Sequence, residues 1–112
     1  MNGLNNLPLH KVLFYLSILT QPDSNIANLS LNNISIMIYG SIVENLTKEF
    51  LISELNERLN LIFQDHIYRE ELTFIFTPEE YPNINPNYYK RRVTYFLQKN
   101  IHGEISLYKV SI

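Results

Sequence analysis

The sequence contains no cysteine and no tryptophan, and it has only three glycines. The lack of cysteine excludes disulfide bridges, thiolate metal sites, iron–sulfur clusters and cysteine nucleophiles. The few glycines leave little opportunity for the backbone to wrap closely around a phosphate group, and no glycine-rich nucleotide-binding motif is found. We therefore expect neither a metal ion nor an organic cofactor.

The sequence also lacks a long hydrophobic run and an excess of positive charge. Its longest apolar stretch near the N-terminus, 12–19, is interrupted by Ser17 and is far shorter than the roughly 20 apolar residues that span a bilayer. No small-residue cleavage site of a signal peptide follows it. We therefore expect a cytoplasmic protein without a membrane partner. The net charge of −2 also makes nucleic acid a less favoured partner.

The length and the composition predict one folded domain that covers residues 1–112. The chain is 46% hydrophobic and 18% charged, which is apolar enough to form a core and to offset the entropy of the unfolded chain. A second independent core would be unusually small at this length.

Hydrophobic periodicity predicts two helices. In the first, from about residue 8 to 19, apolar residues recur at intervals of three and four, and Pro8 occupies the first turn. In the second, Asn45 or Thr47 caps the N-terminus, and the helix runs to about Phe63. The buried stripe predicted for the second helix consists of Leu51, Ile52, Leu55, Leu59, Ile62 and Phe63.

Alternation of residues with a period of two predicts strands at 34–43, 72–77, 91–98 and 104–111. A short strand at 29–31 is a further candidate, and 88–99 has a helical alternative that begins at Asn85–Pro86. The expected fold is a two-layer α+β domain in the order α-β-α-β-β-β. A mostly antiparallel sheet of four or five strands then packs against the two helices.

The histidines do not form a recognisable catalytic motif. His66 and His102 flank predicted strands, and a histidine pair can cleave RNA by acid–base catalysis. Nothing in the sequence fixes their geometry, and His10 has a simple place on the polar side of the first helix. Asp65, His66 and Glu70 would share a metal ion only if this segment were helical. We therefore assign no catalytic and no metal-binding residue.

One side of the second helix carries an unusual combination of residues. Phe50, Glu54, Glu57 and Leu61 form one line, within about 60° of arc, opposite the buried stripe. A helix face that is only solvated does not need two large apolar residues. The pattern is typical of a helix that meets a basic, partly apolar surface, although another part of the chain covering these residues would also explain it.

The proline-rich loop at 78–88 supplies a second group of candidate contacts. Tyr81, Tyr88 and Tyr89 offer large contact areas at a small cost in entropy. The alternative is that the loop folds its tyrosines back over the core. Tyr88 and Tyr89 also precede Lys90, Arg91 and Arg92, the only basic cluster with adjacent aromatic residues.

These observations favour a small protein-binding module over an enzyme. The most specific hypothesis is a neutralising inhibitor, such as an immunity protein, an antitoxin or a phage-encoded inhibitor, that masks the basic surface of a nuclease-like toxin. Its predicted contact residues are Phe50, Glu54, Glu57, Leu61, Tyr81, Tyr88 and Tyr89. The alternatives are an RNA-binding protein or small ribonuclease that uses 88–92, and a homo-oligomeric structural subunit.

Overall fold

The computed structural model describes residues 3–21, 27, 29–64 and 67–111. Within these ranges, three α-helices precede three β-strands, which confirms the α+β class. The helices are α1 (Leu9–Thr20), α2 (Leu31–Tyr39) and α3 (Lys48–Phe63), and the strands are β1 (Tyr68–Ile75), β2 (Arg92–Lys99) and β3 (Ile105–Ser111). Single 3₁₀ turns occur at Gly3–Asn6 and Pro86–Tyr88.

The segment predicted as a strand at 34–43 is instead largely helical, as α2. Ser30 caps this helix by accepting a hydrogen bond from the Asn33 backbone N–H at 3.1 Å, and Gly40 ends it with a left-handed φ of 83°. Ile34 and Ile38 are buried one helical turn apart, whereas Ile36 between them is 47% exposed. The isoleucines that alternate in sequence therefore do not share one face. The element order is α-α-α-β-β-β rather than the predicted α-β-α-β-β-β.

The three strands form one antiparallel sheet in the order β1-β2-β3. This corrects the predicted number of four or five strands and confirms a strand, not a helix, at 92–99. The turn between β2 and β3 is held by the Asn100 Oδ1 atom, which accepts from the His102 and Glu104 backbone N–H groups at 2.9 and 3.0 Å. Gly103 adopts a φ of 81° there, a conformation that side-chain-bearing residues rarely adopt.

The core lies between the sheet and the helices, and α1 is its most deeply buried helix. Val12, Leu13 and Phe14 on α1 are fully inaccessible to solvent. They meet the buried stripe of α3 and the inward-facing side chains of β2, where Val93 and Tyr95 are also inaccessible. This burial explains why apolar residues extend around most of α1.

Candidate partner-binding surfaces

The predicted line along α3 is exposed on the folded protein at both ends. Thr47 caps α3 by accepting from the Phe50 backbone N–H at 3.1 Å. Of the predicted inner stripe, Leu51, Leu55 and Leu59 are inaccessible to solvent, whereas Ile52, Ile62 and Phe63 are partly buried. Phe50 and Leu61 on the opposite side are 53% and 62% exposed. Glu57 is exposed and Glu54 is half-buried. We call Phe50, Glu54, Glu57 and Leu61 the α3 outer line.

The N-terminal 3₁₀ turn borders the α3 outer line, and Leu7 just after this turn binds the nearest cationic side chain, Arg58. Leu4 and Asn5 of this turn line a small cavity of about 80 Å³ together with Glu54, Glu57, Arg58 and Leu61. The Arg58 Nε–H donates to the Leu7 carbonyl at 2.9 Å. Among the described residues, the ion pairs do not include Glu54 or Glu57. The two carboxylates therefore give this surface a negative charge.

Tyr81 lies in the core and not on a contact surface. It is 3% exposed, and its ring makes edge-on contacts with the rings of Phe14 and Phe76 at centroid distances of 4.8 and 4.6 Å. Its hydroxyl oxygen is hydrogen-bonded to His10 Nδ1, and burial raises the pKa of this hydroxyl strongly. Tyr81 thus anchors the loop after β1 to α1, as in the alternative in which the loop tyrosines cover the core.

The other two loop tyrosines are half-buried. The Tyr89 hydroxyl donates to the Tyr81 carbonyl oxygen, so Tyr89 also holds the loop in place. The Tyr88 ring lies 4.9 Å from Lys109 Nζ and 6.0 Å from the Arg91 guanidinium carbon. Tyr88 therefore belongs to a basic cluster at the start of β2, where Lys90, Arg91 and Arg92 are exposed.

The outward face of the sheet was not among the sites predicted from the sequence. It exposes Ile75, Phe96, Tyr108 and Val110 by 56%, 41%, 63% and 42% of their surface. Phe96 and Tyr108 are directly opposite each other on β2 and β3 and line a cavity of about 470 Å³. The sequence does contain a signal for this surface. Phe96 lies between Tyr95 and Leu97, which are both buried, so β2 carries apolar residues on both of its faces.

His10 and His102 occupy separate positions. His10 lies on α1, where Nε2 is 3.6 Å from a Glu80 carboxylate oxygen, and His102 lies in the exposed β2–β3 turn. His66 and Asp65 fall outside the described residues, so the hypotheses that involve them stay untested. The part of the chain that the structure describes has no group of three or more side chains that could hold a metal ion.

No protein-family model, curated protein or solved structure matches this chain. Of the helices in the described segments, none combines the length and the apolar character needed to cross a membrane.

Proposed function

We propose that this protein is a small protein-binding module that neutralises a partner with a basic surface, and that the α3 outer line contacts this partner. The observation that supports the proposal is the exposure of Phe50 and Leu61, at 53% and 62%, on either side of two carboxylates. Exposed single apolar residues are common, but two on one helix line with acidic residues between them form an organised surface.

The dimensions of the line suit a partner interface. Phe50 and Leu61 are eleven residues apart, which corresponds to about 16 Å along a helix at a rise of about 1.5 Å per residue. Large apolar side chains at this separation can each enter a pocket of the partner, as the anchors of interfaces do. The rigid helix holds both in place before binding, which reduces the entropy lost on association.

The charge of the line indicates the chemistry of the partner. Residues 44–80 carry nine acidic side chains against three basic ones, and α3 within this segment carries three acidic side chains against two basic ones. Negative charge around apolar anchors accelerates association with a positively charged protein. A nuclease-like toxin has a basic substrate-binding surface, so an immunity protein, antitoxin or phage-encoded inhibitor is the most specific function of this kind.

The test uses the purified full chain as bait in an extract of the native host. The variant Phe50→Ala/Glu57→Lys removes one anchor and reverses one charge of the α3 outer line. The matched control Ile67→Ala/Glu79→Lys makes the same kinds of change at exposed positions elsewhere. We expect wild type and control to retain one basic protein in stoichiometric amounts, and the α3 variant to bind it about 100-fold more weakly.

Equal retention of that protein by both variants would remove α3 from the interface. If the bait instead retained no protein, and sedimentation velocity showed self-association that Phe50→Ala abolished, the α3 outer line would be an interface between copies of this chain. Circular dichroism of each variant establishes that a loss of binding does not reflect unfolding.

A further inference from the structure

The outward face of the three-stranded sheet has a composition different from that of the α3 outer line. The helices cover the opposite face, where Val93, Tyr95 and Leu97 are buried. The outward face combines exposed aromatic and aliphatic side chains with arginines, a carboxylate, hydroxyls and an amide, and Thr94 near its centre is buried at 6% exposure. We call it the open sheet face, and it consists of Arg69, Glu71, Thr73, Ile75, Arg92, Thr94, Phe96, Gln98, Ser106, Tyr108 and Val110.

We propose that the open sheet face binds single-stranded nucleic acid, with bases stacked on Phe96 and Tyr108. These residues are direct cross-strand partners, so their Cβ atoms are about 5 Å apart. Both rings are on the exposed side, at 41% and 63%. Stacking on exposed aromatic residues needs no particular base, because every base has a flat apolar face.

Polar groups surround the aromatic pair. Gln98 and Ser106 lie in the next cross-strand row and line the same cavity of about 470 Å³. Their amide and hydroxyl groups can exchange hydrogen bonds with base edges. Glu71 is opposite Phe96 on β1, and a carboxylate there can accept from the exocyclic amino group of cytosine.

Arginines lie at both ends of the face, and Glu70 and Glu71 line the central cavity beside Arg69. The cations that could contact a phosphate backbone are therefore at the ends of the face and not at its centre. Arg92 precedes Phe96 by four residues on β2, which is about 13 Å of extended chain, and Arg69 is opposite Gln98, about 7 Å beyond Phe96. Lys90 and Arg91 continue the positive charge beyond Arg92. The aromatic pair therefore lies within a path of about 20 Å that begins and ends at a guanidinium group.

The size of the face suits a nucleic acid strand. Three strands of about eight residues span roughly 26 by 14 Å. A short stretch of a single strand needs only such a narrow platform. The face is also distinct from the acidic α3 outer line, so the two proposals can fail independently.

The test is fluorescence anisotropy with fluorescein-labelled dT12 and U12 oligonucleotides and the full-length protein at 50 mM salt. We expect saturable binding that weakens about 20-fold at 200 mM salt, the dependence of about three phosphate contacts. Phe96→Ala and Tyr108→Ala should each weaken binding about 5- to 100-fold. Thymine and uracil lack the amino group from which Glu71 could accept, so with these probes Glu71→Gln removes only a repulsive charge and should bind at least as tightly as wild type.

Ile42→Ala is the matched control, because it removes an apolar side chain that is 59% exposed and lies between α2 and α3, and it should leave oligonucleotide affinity unchanged. The proposal is overturned if folded wild-type protein binds neither oligonucleotide at 50 mM salt. It is also overturned if Arg91→Glu abolishes binding while both aromatic variants bind normally, since the basic cluster alone would then be the site. If wild-type protein binds no oligonucleotide and Phe96→Ala loses a protein partner, the open sheet face is a protein-binding surface instead.

Discussion

The burial of Tyr81 allows a quantitative test of the fold around the loop after β1. Tyr81→Ala removes a ring that is 3% exposed and lies 4.8 and 4.6 Å from the rings of Phe14 and Phe76. Deleting a buried aromatic ring costs about 3–5 kcal/mol, and the value should lie near 4 kcal/mol here because two edge-on aromatic contacts are lost. A domain of this kind has about 5–15 kcal/mol of stability in total, so the variant should lose about a quarter to four fifths of it.

Two other variants separate the contributions of ring and hydroxyl. Tyr81→Phe keeps the ring and loses only the hydrogen bond to His10, which should cost about 1 kcal/mol. Tyr108→Ala is the matched control, because Tyr108 is 63% exposed and its loss should cost about 0.5 kcal/mol or less.

The assay is urea unfolding followed by far-ultraviolet circular dichroism, which suits a chain without tryptophan. With a slope of about 2 kcal/mol per molar urea, Tyr81→Ala should lower the midpoint by about 2 M relative to wild type. If Tyr81→Ala and Tyr108→Ala lower the midpoint equally, Tyr81 is not a core residue, and its predicted role as a contact residue regains support.

Two further predictions concern α1. Burial lowers the pKa of His10 below its ordinary value of 6.5, with Glu80 opposing the shift and Lys11 adding to it. The unfolded chain then binds the proton more readily than the folded chain. The contribution of neutral His10 to the free energy of unfolding should therefore be fully present above pH 6.5 and be lost as the pH falls below it. His10→Gln should flatten this dependence in urea titrations between pH 5 and 8, and an unchanged slope would contradict it. Gln21 donates to the Leu107 carbonyl and accepts from the Lys109 N–H at 2.9 and 3.2 Å, so Gln21→Ala exposes the β3 edge and should promote association. Sedimentation velocity that shows an unchanged monomer would contradict this.

Local sequence was sufficient for the elements with a long and clear hydrophobic period. The helices predicted at about 8–19 and 47–63 are observed as Leu9–Thr20 and Lys48–Phe63, and the last two strands form the predicted hairpin. The orientation of the α3 outer line was predictable as well. When a helix buries residues spaced three and four apart, the residues on its opposite side necessarily point away from the core.

Only the tertiary structure decided the identity of α2, the burial of Tyr81 and the exposure of Phe96. Short apolar segments fit a helix or a strand equally well. At 31–39 the burial of Ile34 and Ile38 one turn apart selects the helix, which Ser30 and Gly40 then cap. A loop tyrosine faces solvent or the core according to whether an α1 partner such as His10 is within reach. Which sheet face stays open depends on where the helices pack, and that arrangement joins residues far apart in the chain.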